Sequence, residues 1–268
     1  MTIGLPRLES LISELGSVVV AFSGGADSAF LANVAHRVLG PDGALCVTAV
    51  SPSLAAEDEE HCRAIAAEWG LRWTTVESTE MEDPRYVANG ADRCARCKDA
   101  LMVALRPLAA AESATVVLGV NTDDLGDFRP GQAAAAAGGA RFPLVEAGLS
   151  KADVREMSRR LGLRTWDRPA GACLASRLPY GTPVTAPRLR AVEMAESGLR
   201  ALGLREFRVR HHGSVARVEV ADDELDFFWS HRREVVEAVK AAGYDFVSLD
   251  LEGFRSGSLN RLLGASTR

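Results

Sequence analysis

The chain has 268 residues, 47 % of them hydrophobic and 25 % charged, with a formal net charge of −5. That is ample core material for one large domain or two smaller ones, and the mildly acidic balance speaks against a broad nucleic-acid face, which would be basic. No apolar run has the length of a membrane span, and Met1 to Ser10 lacks the apolar core of a signal peptide. A cytoplasmic protein without a membrane partner is therefore expected. Five cysteines are too few for a disulfide scaffold in a chain of this size.

Leu8, Leu11, Ile12 and Leu15 recur at helical spacing and lead through Gly16 to Val18–Phe22, an apolar run that reads as a strand buried on both faces. Ser23-Gly24-Gly25-Ala26-Asp27-Ser28 follows, and then Phe30, Leu31, Val34, Ala35 and Val38 mark one face of a helix. A Gly-rich turn between strand and helix leaves backbone N–H groups unpaired at the positive end of the helix dipole, which suits phosphate. It is not a Walker A loop, since the glycines are adjacent and no lysine follows. The six residues instead match the SGGxDS signature and so resemble the PP-loop ATP pyrophosphatases. That resemblance implies that Ser23, Gly24, Gly25 and Ser28 contact the pyrophosphate end of ATP and that Asp27 helps hold Mg²⁺. The plainer reading is a tight βα turn capped by Ser or Asp.

Gly40–Gly43 is a turn, Leu45–Val50 a second strand, and a helix runs to about Trp69, closed by Gly70. Arg72–Val76 is a third strand. The alternation predicts an α/β fold with a doubly wound parallel sheet. Glu77–Arg93 has no clear period and reads as a loop, Cys97–Ala111 as a helix, and Thr115–Val120 as another buried strand. The acids of Asn121–Asp127 follow at its carboxyl end, where open α/β sheets bind ligands. They fit a second Mg²⁺ or a ribose contact, or else Asp123 or Asp124 caps a helix. Ser150–Asp153 resembles a capping box, with its helix stopping near Leu161. Trp166–Thr185 is rich in Pro and Gly and marks a junction between domains 1–168 and 169–268. Beyond it, Ala186–Leu202 is helical, Phe207–Arg210 and Val215–Val220 form a hairpin, Asp222–Ala241 is helical, and Phe246–Leu249 is a short strand.

Cys94-Ala95-Arg96-Cys97 sets two thiols at a loop-to-helix junction, where the helix N-terminus and Arg93, Arg96 and Lys98 favour thiolates. By itself this CxxC fits half a zinc site, a redox pair or part of an iron–sulfur site. No second CxxC and no paired histidines complete a zinc site. Cys46, within a strand, and Cys62, within a helix, read as small buried hydrophobes. Cys173 lies in the Gly-rich stretch from Pro169 to Gly181. Arg208 and Arg210 alternate onto one face of their strand. With Arg177 they suit bidentate contacts to phosphate or carboxylate, or stand as solvated surface charges. Glu219, in the facing strand, is their ion-pair partner or a metal ligand.

At Ala172-Cys173-Leu174-Ala175-Ser176-Arg177, continuing to Pro179-Tyr180-Gly181, the sequence resembles the LarE-type ATP-dependent sulfur transferases. The resemblance covers nearly the whole chain. It includes Arg93-Cys94-x-x-Cys97-Lys98, Asp123 to Gly131, and Arg208-Val209-Arg210. It implies adenylation of a carboxylate of pyridinium-3,5-dicarboxylate mononucleotide, then conversion to a thiocarboxylate, on the way to a nickel-pincer nucleotide cofactor. One branch of that family sacrifices a single cysteine, at the position of Cys173. Another has three cysteines, here Cys94, Cys97 and Cys173, which bind a [4Fe–4S] cluster. The three-cysteine branch is expected here, with the sacrificial route second. The resemblance further assigns Gly119, Asp124 and Arg129 to ATP, and Lys98, Ser176, Arg177, Arg208 and Arg210 to the substrate. It implies sulfide or a sulfur-delivery protein as partner, and a homo-oligomer. The rivals are tRNA thiolation, which the acidic balance disfavours, amidation with ammonia, which leaves the CxxC without a role, and a nucleotide-binding scaffold that does not turn over.

Overall fold

The structure is a computed structural model that describes residues 4–126, 130–168, 171–255 and 258–260. It divides into two compact units, one of Met1–Asp83 with Cys94–Gly171, the other of Pro84–Arg93 with Ala172–Arg268.

The first unit carries α1 (Gly4–Leu15), β1 (Val18–Ala21), α2 (Ala26–Gly43), β2 (Ala44–Val50), α3 (Ala56–Trp69) and β3 (Arg72–Glu77). The segment Pro84–Val87 is α4 and belongs to the other unit. The first unit then continues with α5 (Arg93–Ala111, its first residue grouped with the second unit), β4 (Thr115–Leu118), α6 (Pro130–Ala137), α7 (Pro143–Glu146) and α8 (Lys151–Arg160). Its sheet has the order β3-β2-β1-β4, all parallel. Both faces are covered, as an all-parallel sheet requires. Val18 and Val20 join Leu8, Phe30, Leu31, Ile65, Leu144, Val154 and Met157 in one core. Val19 and Val47 join Leu101, Met102, Leu105 and Ala135 in another on the opposite face. β1 is thus the central strand, apolar at every position because neither face meets water. This is the expected doubly wound α/β fold.

Local signals behave as their chemistry dictates. Gly70 closes α3 in the left-handed conformation, its N–H bonded to the Ala66 carbonyl. The capping box at α8 is complete: the Ser150 hydroxyl accepts from Asp153 N, and the Asp153 carboxylate accepts from Ser150 N. α2 is interrupted at Gly40, where φ is 72°.

The second unit holds α9 (Ala186–Ala201), β5 (Phe207–His212), β6 (Val215–Val220), α10 (Leu225–Ser230), α11 (Arg232–Ala241) and β7 (Phe246–Leu249), with α4. Its sheet is β5-β6-β7, the first pair antiparallel and the second parallel. α9 and α11 supply Leu199, Val235 and Val239 to a core with Phe207, Val209, Val218 and Val220.

Several elements differ from the sequence reading. The helix expected over 97–111 begins at Arg93, so both cysteines of the CxxC are helical. The strand expected to Val120 ends at Leu118. The helix expected over 222–241 is broken at His231, whose ring stacks on Phe227 at 4.1 Å and whose Nδ1 lies 2.9 Å from the Phe227 carbonyl. The stretch 77–93 is not structureless: it contains a helical turn at Glu80–Glu82 and α4. Its end is held among the C-terminal residues, because Val184 N donates to Val87 O and Gly181 N donates to Asn89 O.

Candidate active site

β1 delivers the chain through Phe22 to the Ser23–Ser28 loop, and α2 starts inside it. The loop closes on its own hydroxyls. Ser28 Oγ accepts from Ser23 N at 3.3 Å, lies 3.1 Å from Ser23 Oγ and donates to the Gly25 carbonyl at 3.2 Å. Gly25 is the N-cap of α2 and brings no side-chain cap, so the first-turn N–H groups keep their demand for an acceptor. Gly24 has φ +69°, and a Cβ there would sit 3.0 Å from both Cys62 Sγ and a His61 ring carbon. Backbone conformation and close approach both require glycine.

His61, on α3, lies directly beneath that glycine. Burial pushes its imidazole down to about 4; the nearby Arg168 and Arg164 add to this, and the Gly24 backbone and Asp58 oppose it. Its Nε2 is buried and without a hydrogen-bond partner. Motif reading passed over His61 because it falls in an otherwise ordinary polar helix.

Asp27 sits in the first turn of α2 with Oδ1 buried and unpartnered. Burial raises its carboxyl above the ordinary range; Asp124 adds to this, while Asn121, Lys151 and Arg155 oppose it. Asn121, 1 % exposed, leaves Nδ2 equally unpartnered, while its Oδ1 accepts from the backbones of Asp123 and Asp124. The acidic stretch after β4 divides its labour. Asp123 Oδ2 accepts from Lys151 N at 2.8 Å and so caps α8, the plainer of the two readings. Asp124 Oδ2 accepts from Asn121 N at 3.3 Å. A buried carboxylate oxygen without a donor, close enough to a second carboxylate to feel it, is a hard-oxygen donor set that fits Mg²⁺.

Gly119, expected at ATP, is placed against the loop's backbone: a Cβ on it would lie 2.8 Å from Ser28 N and 2.9 Å from the Asp27 carbonyl carbon. Arg129 lies outside the described residues.

Cys94 and Cys97 stand one turn apart at the start of α5, the first exposed and the second half-buried, neither in a disulfide. The half-buried Lys98 follows on the same helix, its stem against Gly131. In the second unit Cys173 is exposed and precedes a helical turn, Leu174–Arg177. Arg177 is only 4 % exposed: Nε and Nη2 form a two-pronged pair with Glu196 at 2.9 and 2.8 Å, and Nη1 reaches Cys173 O at 3.0 Å and the Ala172 carbonyl. Its charge is therefore committed to holding the Cys173 turn. The Ser176 hydroxyl accepts from Arg177 and its carbonyl accepts from Arg210. Arg210 also bonds Glu219 at 2.6 Å and Ser258 at 2.9 Å, and its buried Nε is unpartnered. Glu219, 0 % exposed, pairs with both Arg210 and Arg217. Arg208 is half-buried over the Phe254 ring. Burial lowers its guanidinium to about 10, Arg177 adds, and Glu196 opposes. A cation held in such company favours an anionic guest. Among the described residues no group of three or more His, Cys, Asp or Glu side chains is arranged to hold a metal ion, and no helix is long and apolar enough to cross a membrane.

A parallel sheet whose central strand opens into a self-closed Ser-Gly-Gly loop, with carboxylates gathered beside it, defines an α/β fold of the PP-loop class. In keeping with this, the NAD synthase family profile matches residues 8–92. The chain is 44 % identical over 262 residues to an uncharacterized protein of Synechocystis sp., covering 97 % of each. It is 35 % identical over 257 residues to pyridinium-3,5-bisthiocarboxylic acid mononucleotide synthase of Lactiplantibacillus plantarum, covering 96 % of this chain and 93 % of that one. An uncharacterized protein of Methanocaldococcus jannaschii is 25 % identical over 240 residues. The chain belongs to the LarE family of PP-loop proteins, as the loop, the CxxC and the Cys173 stretch implied.

Proposed function

We propose that this chain is an ATP-dependent sulfur transferase acting on pyridinium-3,5-dicarboxylate mononucleotide, a step toward the nickel-pincer nucleotide cofactor. The observation that carries this reading is the 35 % identity to a bisthiocarboxylic acid mononucleotide synthase, extending over 96 % of the chain. The loop supports the first half-reaction. The substrate carboxylate attacks the α-phosphorus of ATP, the bond to the β-phosphate oxygen breaks, and pyrophosphate leaves. Ser23, Ser28 and the open N–H groups of α2 receive the negative charge that moves onto the leaving group. Mg²⁺ on Asp27, with Asp124 nearby, would neutralise charge on the phosphoryl oxygens. Arg208 would hold the anionic substrate, with Arg210 fixed beside it by Glu219.

In the second half-reaction a sulfur nucleophile attacks the acyl carbon, the bond to the adenylate oxygen breaks, and AMP leaves. A [4Fe–4S] cluster on Cys94, Cys97 and Cys173 is the reading put first for the sulfur nucleophile. Such a cluster would supply an iron without a protein ligand, able to carry hydrosulfide from sulfide or a delivery protein. The exposure of Cys173 supports a second reading. Its thiolate attacks the acyl-adenylate itself, and loss of its α-proton then releases the thiocarboxylate and leaves dehydroalanine.

The test is anaerobic purification with assay of iron and sulfide, for the wild type and for Cys94→Ala, Cys97→Ala and Cys173→Ala. About four irons per cluster are expected, lost in each variant. A protein that takes up no iron on reconstitution but loses one sulfur from Cys173 on turnover would establish the sacrificial route. Absence of substrate-dependent pyrophosphate release would overturn both.

A further inference from the structure

We infer that Asn89 and Arg93 are positioning residues for Cys173, fixing the turn that presents its thiol. This rests on the proposal that Cys173 takes part in sulfur transfer.

Gly171, Ala172 and Cys173 are three consecutive exposed residues. Side-chain packing cannot locate a thiol there, so its position depends on what the backbone carbonyls find. Arg177 holds those of Ala172 and Cys173 from one side, and Ser176 N donates to Cys173 O at 2.9 Å. From the other side comes Arg93, 5 % exposed. Its Nη1 donates to Ala175 O at 2.9 Å and to Asn89 Oδ1 at 2.6 Å, with the guanidinium 5.6 Å from the centre of the Tyr180 ring. Asn89 is fully buried. Its Nδ2 donates to Pro179 O and Thr182 O, both at 2.8 Å, and its own carbonyl accepts from Gly181 N. It does so from φ +57°, a conformation that few residues other than glycine adopt and that asparagine tolerates best.

The two residues thus occupy the carbonyls of Ala175, Pro179 and Thr182 and the N–H of Gly181. A buried guanidinium is costly unless its bonds are made. Here the bonds converge on the one turn that carries Cys173. Arg93 is also the residue directly before Cys94 in the chain. Asn89, Arg93 and their partners belong to the second unit and the PP-loop to the first, so the effect expected is on the sulfur step and not on adenylation.

The experiment compares wild type with Arg93→Met, which keeps the stem and removes the donors, and Asn89→Gly, which keeps the left-handed backbone and removes the carboxamide. Substrate-dependent pyrophosphate release is measured beside thiocarboxylate formation. The inference expects release within about twofold of wild type and thiocarboxylate formation lowered about tenfold or more. Equal losses in both half-reactions, or none in either, would overturn it. Hydrogen exchange of the intact protein supplies a readout independent of activity. The amides of Ser176, Gly181 and Val184 should be protected in wild type and exchange about tenfold faster or more in both variants. Unchanged protection there would refute the clamp. A wild type that releases no pyrophosphate would instead refute the functional reading, while the exchange data would still decide whether these two residues hold the turn.

Discussion

At the scale of single residues, the site is defined by atoms that the fold leaves wanting. Asp27 Oδ1, Asn121 Nδ2 and His61 Nε2 are buried without partners around one loop, and buried polar groups are rarely abandoned without a use. His61 has a consequence for acid stability. Its proton affinity is lower in the folded chain, about 4 against an ordinary 6.5, so the unfolded chain binds the proton more readily. The stability tied to the neutral ring is complete above the ordinary value and is lost as pH falls toward the depressed one. Urea melts across that window should show His61→Gln losing less stability with acid than wild type. A parallel dependence in the two proteins would mean the ring is freely solvated. Glu196 teaches a related lesson: its carboxylate serves Arg177 and the Val209 N–H together, and the Arg177 charge holds it below the ordinary range against the opposing effect of burial.

At the scale of elements, the phosphate loop depends on the strand beside it. β4 ends at Leu118, and the next residue, Gly119, brings its Cα against the backbone of Asp27 and Ser28. Both contacts are to backbone, so the added methyl of Gly119→Ala has no flexible side chain to displace. Overpacking of this kind costs about 1–3 kcal/mol. Here the strain falls on the first turn of α2. The variant should show a lower Tm and an ATP affinity reduced about tenfold or more by calorimetric titration. Wild-type affinity in a destabilised variant would mean that the loop tolerates the shift. α8 is tied into the same edge, since Asp123 caps it and Thr122 N donates to Leu149 O. The stretch after β4 therefore joins a structural element to the carboxylates beside the loop.

At the scale of the molecule, the two units carry separate hydrophobic cores. Differential scanning calorimetry should resolve two transitions, with a calorimetric enthalpy above the van't Hoff value. Ile65→Ala and Leu199→Ala, each costing about 2–5 kcal/mol, should each move one of them. A single transition moved by both would show that the units unfold together.

What the chain determined by sequence alone is what depends on neighbours along it. Central strands declare themselves by unbroken apolar runs such as Val18–Val20, the phosphate loop by its glycines and hydroxyls, and the ends of α3 and α8 by Gly70 and the Ser150–Asp153 pair. Each of these is a local consequence of backbone geometry and unpaired N–H or C=O groups. Only the tertiary structure could decide the rest. It placed Pro84–Arg93 with the C-terminal residues, through bonds such as that from Arg93 to Ala175, 82 positions apart. It committed Arg177 to Glu196 and Arg210 to Glu219, and it set His61 beneath Gly24. The physical reason is that the partner of a charge, unlike the period of a helix, is chosen by which surfaces the fold brings together.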